Sequence, residues 1–279
     1  MKKLSTLTLG LFFAAGSAFA QSNEATVSQA GDQNEATIQQ VYQAGGSGDN
    51  NEAFTTQTGN LNVVAGLKQR GAGNWHGIVQ TGDNNLVDRY PNQGSSQGGS
   101  YDGYISITQL GDDNKVWDAD QAGSENSLTV TQRGGDIVNV EAQISPEGGV
   151  GNAIVIDQYG GGNAVGEFSP NGSGAYQEGE GNSMDITQDG GAKAGIASVY
   201  VSGATEKFFR SAIEGGQGLI QLGDDNMLTI EQDGASTVGF VIQKGDLNKA
   251  SVYQTGDLNT ATVSQVGNSN EAIITQSGI

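Results

Sequence analysis

The sequence predicts an all-β chain: a flat, two-sheet β-solenoid of strand-turn-strand coils, 22 residues per coil and 11 per half-coil, which becomes a cross-β stack on assembly. Three observations predict it. Gln254, Gln265 and Gln276 stand eleven residues apart, as do Gly256, Gly267 and Gly278, and Asn248, Asn259 and Asn270. Between each Asn and the next Gln, apolar and polar residues alternate, which is the period of a strand with one buried face. After each Gln comes a Gly, often followed by Asp or Asn, which is turn chemistry.

The unit reads N-x-φ-x-φ-x-Q-x-G-x-x, with φ apolar, so each copy is a strand of seven residues and a turn of four. Asn248, Ala250, Val252 and Gln254 face inward, and Lys249, Ser251 and Tyr253 face outward. From Asn226 the unit runs without a gap, with Thr237 and Gly239 as one soft copy in the Asn and first φ slots. Clear earlier copies are Asn23/Ala25/Val27/Gln29, Asn34/Ala36/Ile38/Gln40, Asn126/Leu128/Val130/Gln132, Asn152/Ile154/Ile156/Gln158 and Asn182/Met184/Ile186/Gln188.

A strand with one apolar face cannot bury it alone, so the units must stack. An amide in a dry interior is costly unless paired, and in-register stacking lets each amide donate to one neighbour and accept from the other. The expected ladder residues are Asn226, Gln232, Gln243, Asn248, Gln254, Asn259, Gln265, Asn270 and Gln276. The expected turn residues are Gly223, Gly234, Gly245, Gly256 and Gly267, because Gly tolerates the positive φ of a tight reversal.

Other segments bound the function. Lys2 and Lys3 precede an apolar stretch ending in Ala18-Phe19-Ala20, which reads as a signal peptide over residues 1–20. The solenoid then occupies residues 21–279. No later apolar run has membrane-spanning length, and there is no Cys. A formal charge of −19 speaks against a nucleic-acid or anionic-lipid partner and is read as solubilising self-repulsion. His76 is the only His and sits in an inner slot, so it is read as packed rather than catalytic or metal-binding. The corners Gly82-Asp83, Gly111-Asp112, Gly223-Asp224, Gly245-Asp246 and Gly256-Asp257 could align as an acidic row, but Asp is first a turn former. The Gly-rich run near Gly160 lacks the Lys of a phosphate loop. No cofactor and no catalytic residue is expected.

Two rival solenoid functions are a secreted ice- or cation-binding protein and a carbohydrate-active β-helix enzyme. Thr129/Thr131 and Thr260/Thr262 are only fragments of a Thr ladder, and the interior offers no converging acids and bases. Outward aromatics, Phe54, Trp75, Trp117, Phe240 and Tyr253, are read as packing or as contacts with a neighbour.

The middle is irregular. Insertions are expected at turns near residues 45–50, 91–100, 144–151, 166–176 and 189–216, the last containing a helix-like stretch, Thr205 to Glu214, that suits a short helix or an ordered loop. Counting back from Gln143 puts Ile137, Asn139 and Glu141 inward and the apolar Val138, Val140 and Ala142 outward, a conflict that a bulge or a weak coil must absorb. One residue too many between Asn114 and Gln121 predicts a bulge there.

These residues resemble the curlin family, the subunits of bacterial curli fibres, whose pattern is Ser-x5-Gln-x-Gly-x-x-Asn-x-Ala-x3-Gln. Gln265, Gly267, Asn270, Ala272 and Gln276 carry it, as do Gln254, Gly256, Asn259, Ala261 and Gln265, and "SQAGDQNEATIQQ" repeats it near the start. The resemblance spans nearly all of residues 21–279. The chain departs from it in its length, its irregular middle, and a repeat that opens directly after the leader. The resemblance implies an exported subunit of extracellular amyloid fibres that support adhesion and biofilm, forming a homopolymer with other curlin subunits and a curli secretion system as partners, without membrane insertion.

Overall fold

A computed structural model describes residues 23–41, 50–88, 100–121, 123–142, 150–165, 175–194, 218–235 and 237–278. The leader, most of each expected insertion and the stretch Thr205 to Glu214 lie outside the described residues. Among the described residues every element is a strand, and none is a helix that could cross a membrane.

The chain alternates between two parallel sheets. The first has ten strands, each of seven residues: Glu24–Ala30, Glu52–Thr58, Trp75–Thr81, Tyr104–Leu110, Ser127–Arg133, Ala153–Tyr159, Ser183–Asp189, Met227–Asp233, Lys249–Thr255 and Glu271–Ser277. The second contains Glu35–Val41, Val63–Ala72, Leu86–Asp88, Lys115–Gln121, Ile137–Ala142, Thr237–Lys244 and Thr260–Val266. Two of its rungs are split, Ala164–Val165 with Ala175–Glu178, and Lys193–Ala194 with Gly218–Leu222. Ser100–Tyr101 and Gly123–Ser124 continue the rungs begun at Leu86 and Lys115.

The first sheet keeps one register throughout. Ala25 lies beside Ala53, Leu128 beside Ile154, and Leu228 beside Ala250, so each φ slot becomes a continuous column. Ile107, Val130, Ile156, Ile186, Ile230 and Val252 form one such column, all fully buried. Each large aliphatic side chain buried there contributes about 2 kcal/mol. Removing rung-to-rung parity anywhere would expose a whole strand's apolar set, which is why this register is strict.

The second sheet absorbs the irregularities, always between its first and second φ slots. Against Ala36 and Ile38, the longer strand pairs Val64 and Leu67, so one residue is extra. The bulge predicted between Asn114 and Gln121 appears as a slip between Trp117 and Asp120. The insertions at 166–174 and 195–217 split rungs at the same place, after Val165 and after Ala194. These two leave from mid-strand rather than from turns, because a bulge already opens the ladder there and lets neighbouring rungs keep their frame.

Three expectations change accordingly. The backbone register pairs Val138, not Ile137 or Asn139, with buried Val116, and Val140 with buried Ala175. The frame runs from Asp136, which occupies an Asn slot, and the parity conflict disappears. Val238 lies beside Ala261 and the slip falls at Gly239, so Thr237 and Gly239 are not in the Asn and φ slots. Lys193–Ala194 and Ala175–Glu178 pair within the sheet, so the strands extend into the ranges assigned to insertions.

Candidate functional site: amide ladders and open rungs

The inner face of the first sheet carries one unbroken glutamine ladder. Gln29 donates through Nε2 to Oε1 of Gln57, and the pattern continues through Gln80, Gln109, Gln132, Gln158, Gln188, Gln232 and Gln254 to Gln276, at 2.6–3.2 Å. A second ladder links Gln177, Gln221, Gln243 and Gln265 at 2.8, 2.8 and 2.9 Å. The other Nε2 proton crosses between the sheets. Gln243 donates to Met227 O at 3.0 Å, Gln265 to Lys249 O at 2.9 Å and Gln276 to Thr260 O at 3.1 Å. Each such glutamine is thus both an axial rung and a clasp between the two sheets.

Asparagines build the opposite edge, with reversed polarity. Asn248 donates through Nδ2 to Oδ1 of Asn226 at 3.0 Å, and Asn270 to Oδ1 of Asn248 at 2.8 Å. The same Oδ1 atoms accept the backbone N–H of the following rung, at 3.1 and 3.0 Å. Glutamine donors therefore point toward the C-terminal end of the stack and asparagine donors toward the N-terminal end. On the second sheet Asn34, Asn62, Asn85 and Asn114 form the same row at 3.0–3.2 Å. Asn259, on the last rung of that sheet, donates to Thr255 O at 3.0 Å.

Asp136 interrupts this row, and the sequence reading did not single it out. Its Oδ1 accepts from Nδ2 of Asn163 at 3.1 Å, but its buried Oδ2 has no hydrogen-bond partner among the described residues. Burial raises its carboxyl pKa, an effect only partly offset by the hydrogen bonds it accepts from Asn163. The signal lay in its spacing, since Asp136 follows Gln132 by four residues where the unit has five.

The corners stack as closely as the strands. Gly223, Gly234, Gly245, Gly256 and Gly267 all have positive φ, at 111°, 100°, 107°, 82° and 102°. A Cβ on Gly223 would lie 2.5 Å from Gly245 O of the next coil, whereas one on Gly267, at the last corner of the second sheet, would meet nothing nearer than 3.6 Å. The glycine row is therefore a requirement of stacking as well as of the turn. The corner carboxylates also reach between coils: Asp224 Oδ1 accepts the N–H of Glu180 at 2.9 Å, and Asp246 Oδ1 that of Asp224 at 3.1 Å. Among the described residues no group of three or more His, Asp or Glu is placed to hold a metal ion.

His76 packs inward beside Ala53 and Ile105, 6% exposed, with no hydrogen-bond partner for Nδ1 among the described residues. Desolvation lowers its pKa from 6.5 to about 4. The unfolded chain therefore binds its proton first, and stability that is complete above pH 6.5 is lost as pH falls toward 4. The expected loss is about 3 kcal/mol. Denaturant melts at pH 7.5 and 4 will show that loss in the wild type and not in His76→Val; equal losses would place the titration elsewhere.

Of the outward aromatics, Trp75 stacks on Tyr104 with centroids 4.6 Å apart, and Phe54 lies 6.1 Å from Trp75. A Cβ on Gly77 would sit 2.1 Å from the Trp75 ring, so the indole lies flat across that glycine. Tyr253 is exposed, and the side chains of Trp117 and Phe240 lie outside the described residues.

Among the described residues, Glu24–Ala30 and Glu35–Val41 at one end of the stack pair on one side only, as do Thr260–Val266 and Glu271–Ser277 at the other. Inward Val27 and Gln29 at one end, and Ala272, Ile274 and Gln276 at the other, are half-buried where their counterparts in the middle are fully buried. Comparison with protein families matches the curlin associated repeat twice, over residues 223–256 and 245–278. No curated protein matches the chain.

Proposed function

We propose, from the curlin associated repeats that lie at residues 223–278, that this chain is a structural subunit that polymerises with copies of itself into extracellular cross-β fibres. The observation that carries the reading is the amide ladder of the first sheet, which runs from Gln29 to Gln276 and ends, among the described residues, at rungs paired on one side only with half-buried apolar slots. Open parallel edges with unspent ladder partners favour addition of another β-edge. Fibres of this kind serve adhesion and the biofilm matrix in the family that the repeat resembles, with a dedicated secretion system and other curlin subunits as partners. The reading gives the chain no catalysis and no cofactor. Its acidic corners keep the free subunit soluble.

Purified chain is expected to pass from a soluble form to thioflavin-positive fibres, with a meridional reflection at about 4.8 Å and a lag that preformed fibres abolish. A chain that stays monomeric at high concentration, with and without seeds, contradicts the reading.

A further inference from the structure

The strands alternate strictly between the sheets, yet the first and the last, Glu24–Ala30 and Glu271–Ser277, both belong to the first sheet. Among the described residues the first sheet has ten rungs and the second nine, because four of its thirteen strands continue a rung already begun. Each half-coil follows its predecessor by half a turn about the solenoid axis. An odd number of half-coils therefore leaves the stack one half-coil short of a whole number of turns.

Resting on the proposed self-assembly, we infer that a second copy of this chain docks turned by half a turn, its Glu24–Ala30 strand seated on Thr260–Val266 and its Glu35–Val41 strand on Glu271–Ser277. The slots match in this register. Asn23 falls over Asn259, Ala25 over Ala261, Val27 over Val263 and Gln29 over Gln265, then Asn34 over Asn270, Ala36 over Ala272, Ile38 over Ile274 and Gln40 over Gln276. The ladder polarities match too. Glutamine donors point toward the Gln265 and Gln276 end, where the incoming Gln29 and Gln40 bring acceptor oxygens. Asn23 and Asn34 bring donors to the oxygens of Asn259 and Asn270, as Asn270 itself does to Asn248.

A straight join, with Glu24–Ala30 placed on Glu271–Ser277, preserves the same polarity but leaves a gap of one rung above Thr260–Val266. That strand's outer edge and the buried Ala261 and Val263 would have no partner. Backbone groups left unpaired in an otherwise dry stack are costly, so the half-turn join wins. Successive copies then present opposite faces, and the fibre repeats every two subunits. At about 4.8 Å per rung that repeat is about 90 Å.

Because the chain has no Cys, single cysteines report the join cleanly. Ser28, Ser264 and Thr275 are exposed and occupy the same outward slot of their strands. Adjacent in-register rungs bring Cα atoms within disulfide range. Ser28→Cys chains grown into fibres with an equal amount of Ser264→Cys chains, under mild oxidant, are expected to give a heterodimer on a non-reducing gel. The mixture of Ser28→Cys with Thr275→Cys is expected to give at least tenfold less. Fibres that reverse this preference, or that cross-link both mixtures equally or neither, overturn the half-turn join and leave self-assembly standing. A chain that forms no fibres overturns both.

Discussion

Gly223→Ala will destabilise the subunit by about 4 kcal/mol, whereas Gly267→Ala will cost it only about 1–2 kcal/mol. The two glycines share a backbone conformation, with φ of 111° and 102°, so the conformational penalty is common to both. They differ in what lies above them. The added Cβ at position 223 would overlap Gly245 O at 2.5 Å, and relief would require that coil to lift away. Lifting it would stretch the link between Gln221 and Gln243 and unseat Val241 in the buried column. At position 267 no coil lies above among the described residues, and the nearest atom is Asn270 Nδ2 at 3.6 Å. The pair therefore separates turn strain from stacking. Urea melts of the soluble subunit will show the large effect for Gly223→Ala only. Seeded growth will be lost in both, since in a fibre the incoming copy places its own corner over Gly267. Equal melts would mean that the corner glycines serve the turn alone, and normal growth of Gly267→Ala would mean that this corner is not covered on assembly.

Much of this architecture was legible in the sequence because the repeat is a packing rule written in residues. Every first-sheet strand has the same seven-residue frame, so Asn248, Ala250, Val252 and Gln254 could be placed inward by counting alone. Counting failed where two landmarks disagree. Between Asp136 and Gln143 the Asn-slot residue and the glutamine call for opposite parity, and the strand pairing follows Asp136: Val138 lies beside Val116 and Val140 beside Ala175, so the apolar columns take precedence over one amide in setting the register. The same competition placed the slip at Gly239, where the smallest side chain is the least costly to leave out of register. The close approach of glycines in successive coils was not legible, because it depends on the distance between residues 22 apart rather than on local turn geometry. Nor was the opposed polarity of the Asn and Gln rows, since it depends on which second carbonyl each amide reaches: Gln243 donates to Met227 O of the facing sheet, whereas Asn62 donates to Gly82 O at the corner of the next coil.

Gln232→Ala, in the middle of the ladder, is expected to cost about 4 kcal/mol, and Gln276→Ala, at its end, under about 1 kcal/mol. Gln232 is 2% exposed, accepts from Gln188 at 3.0 Å and donates to Gln254 at 2.9 Å. Its loss leaves the Gln188 donor and the Gln254 acceptor facing a dry cavity too crowded by the sheets for their amides to find other partners. Gln276 lies on the last rung, half-buried, where water replaces what the alanine removes. A subunit melt will therefore rank Gln232→Ala far below wild type and leave Gln276→Ala close to it. Fibre growth reverses the significance of the second substitution. The end glutamine offers its donor to the incoming copy, and a loss of about 1.4 kcal/mol there slows seeded elongation roughly tenfold. An outward control, Thr262→Ala, touches neither ladder and will leave both measurements near wild type. If Gln232→Ala melts with the control, the inward ladder does not hold the stack together. If Gln276→Ala elongates at the wild-type rate, the last rung is not where copies join.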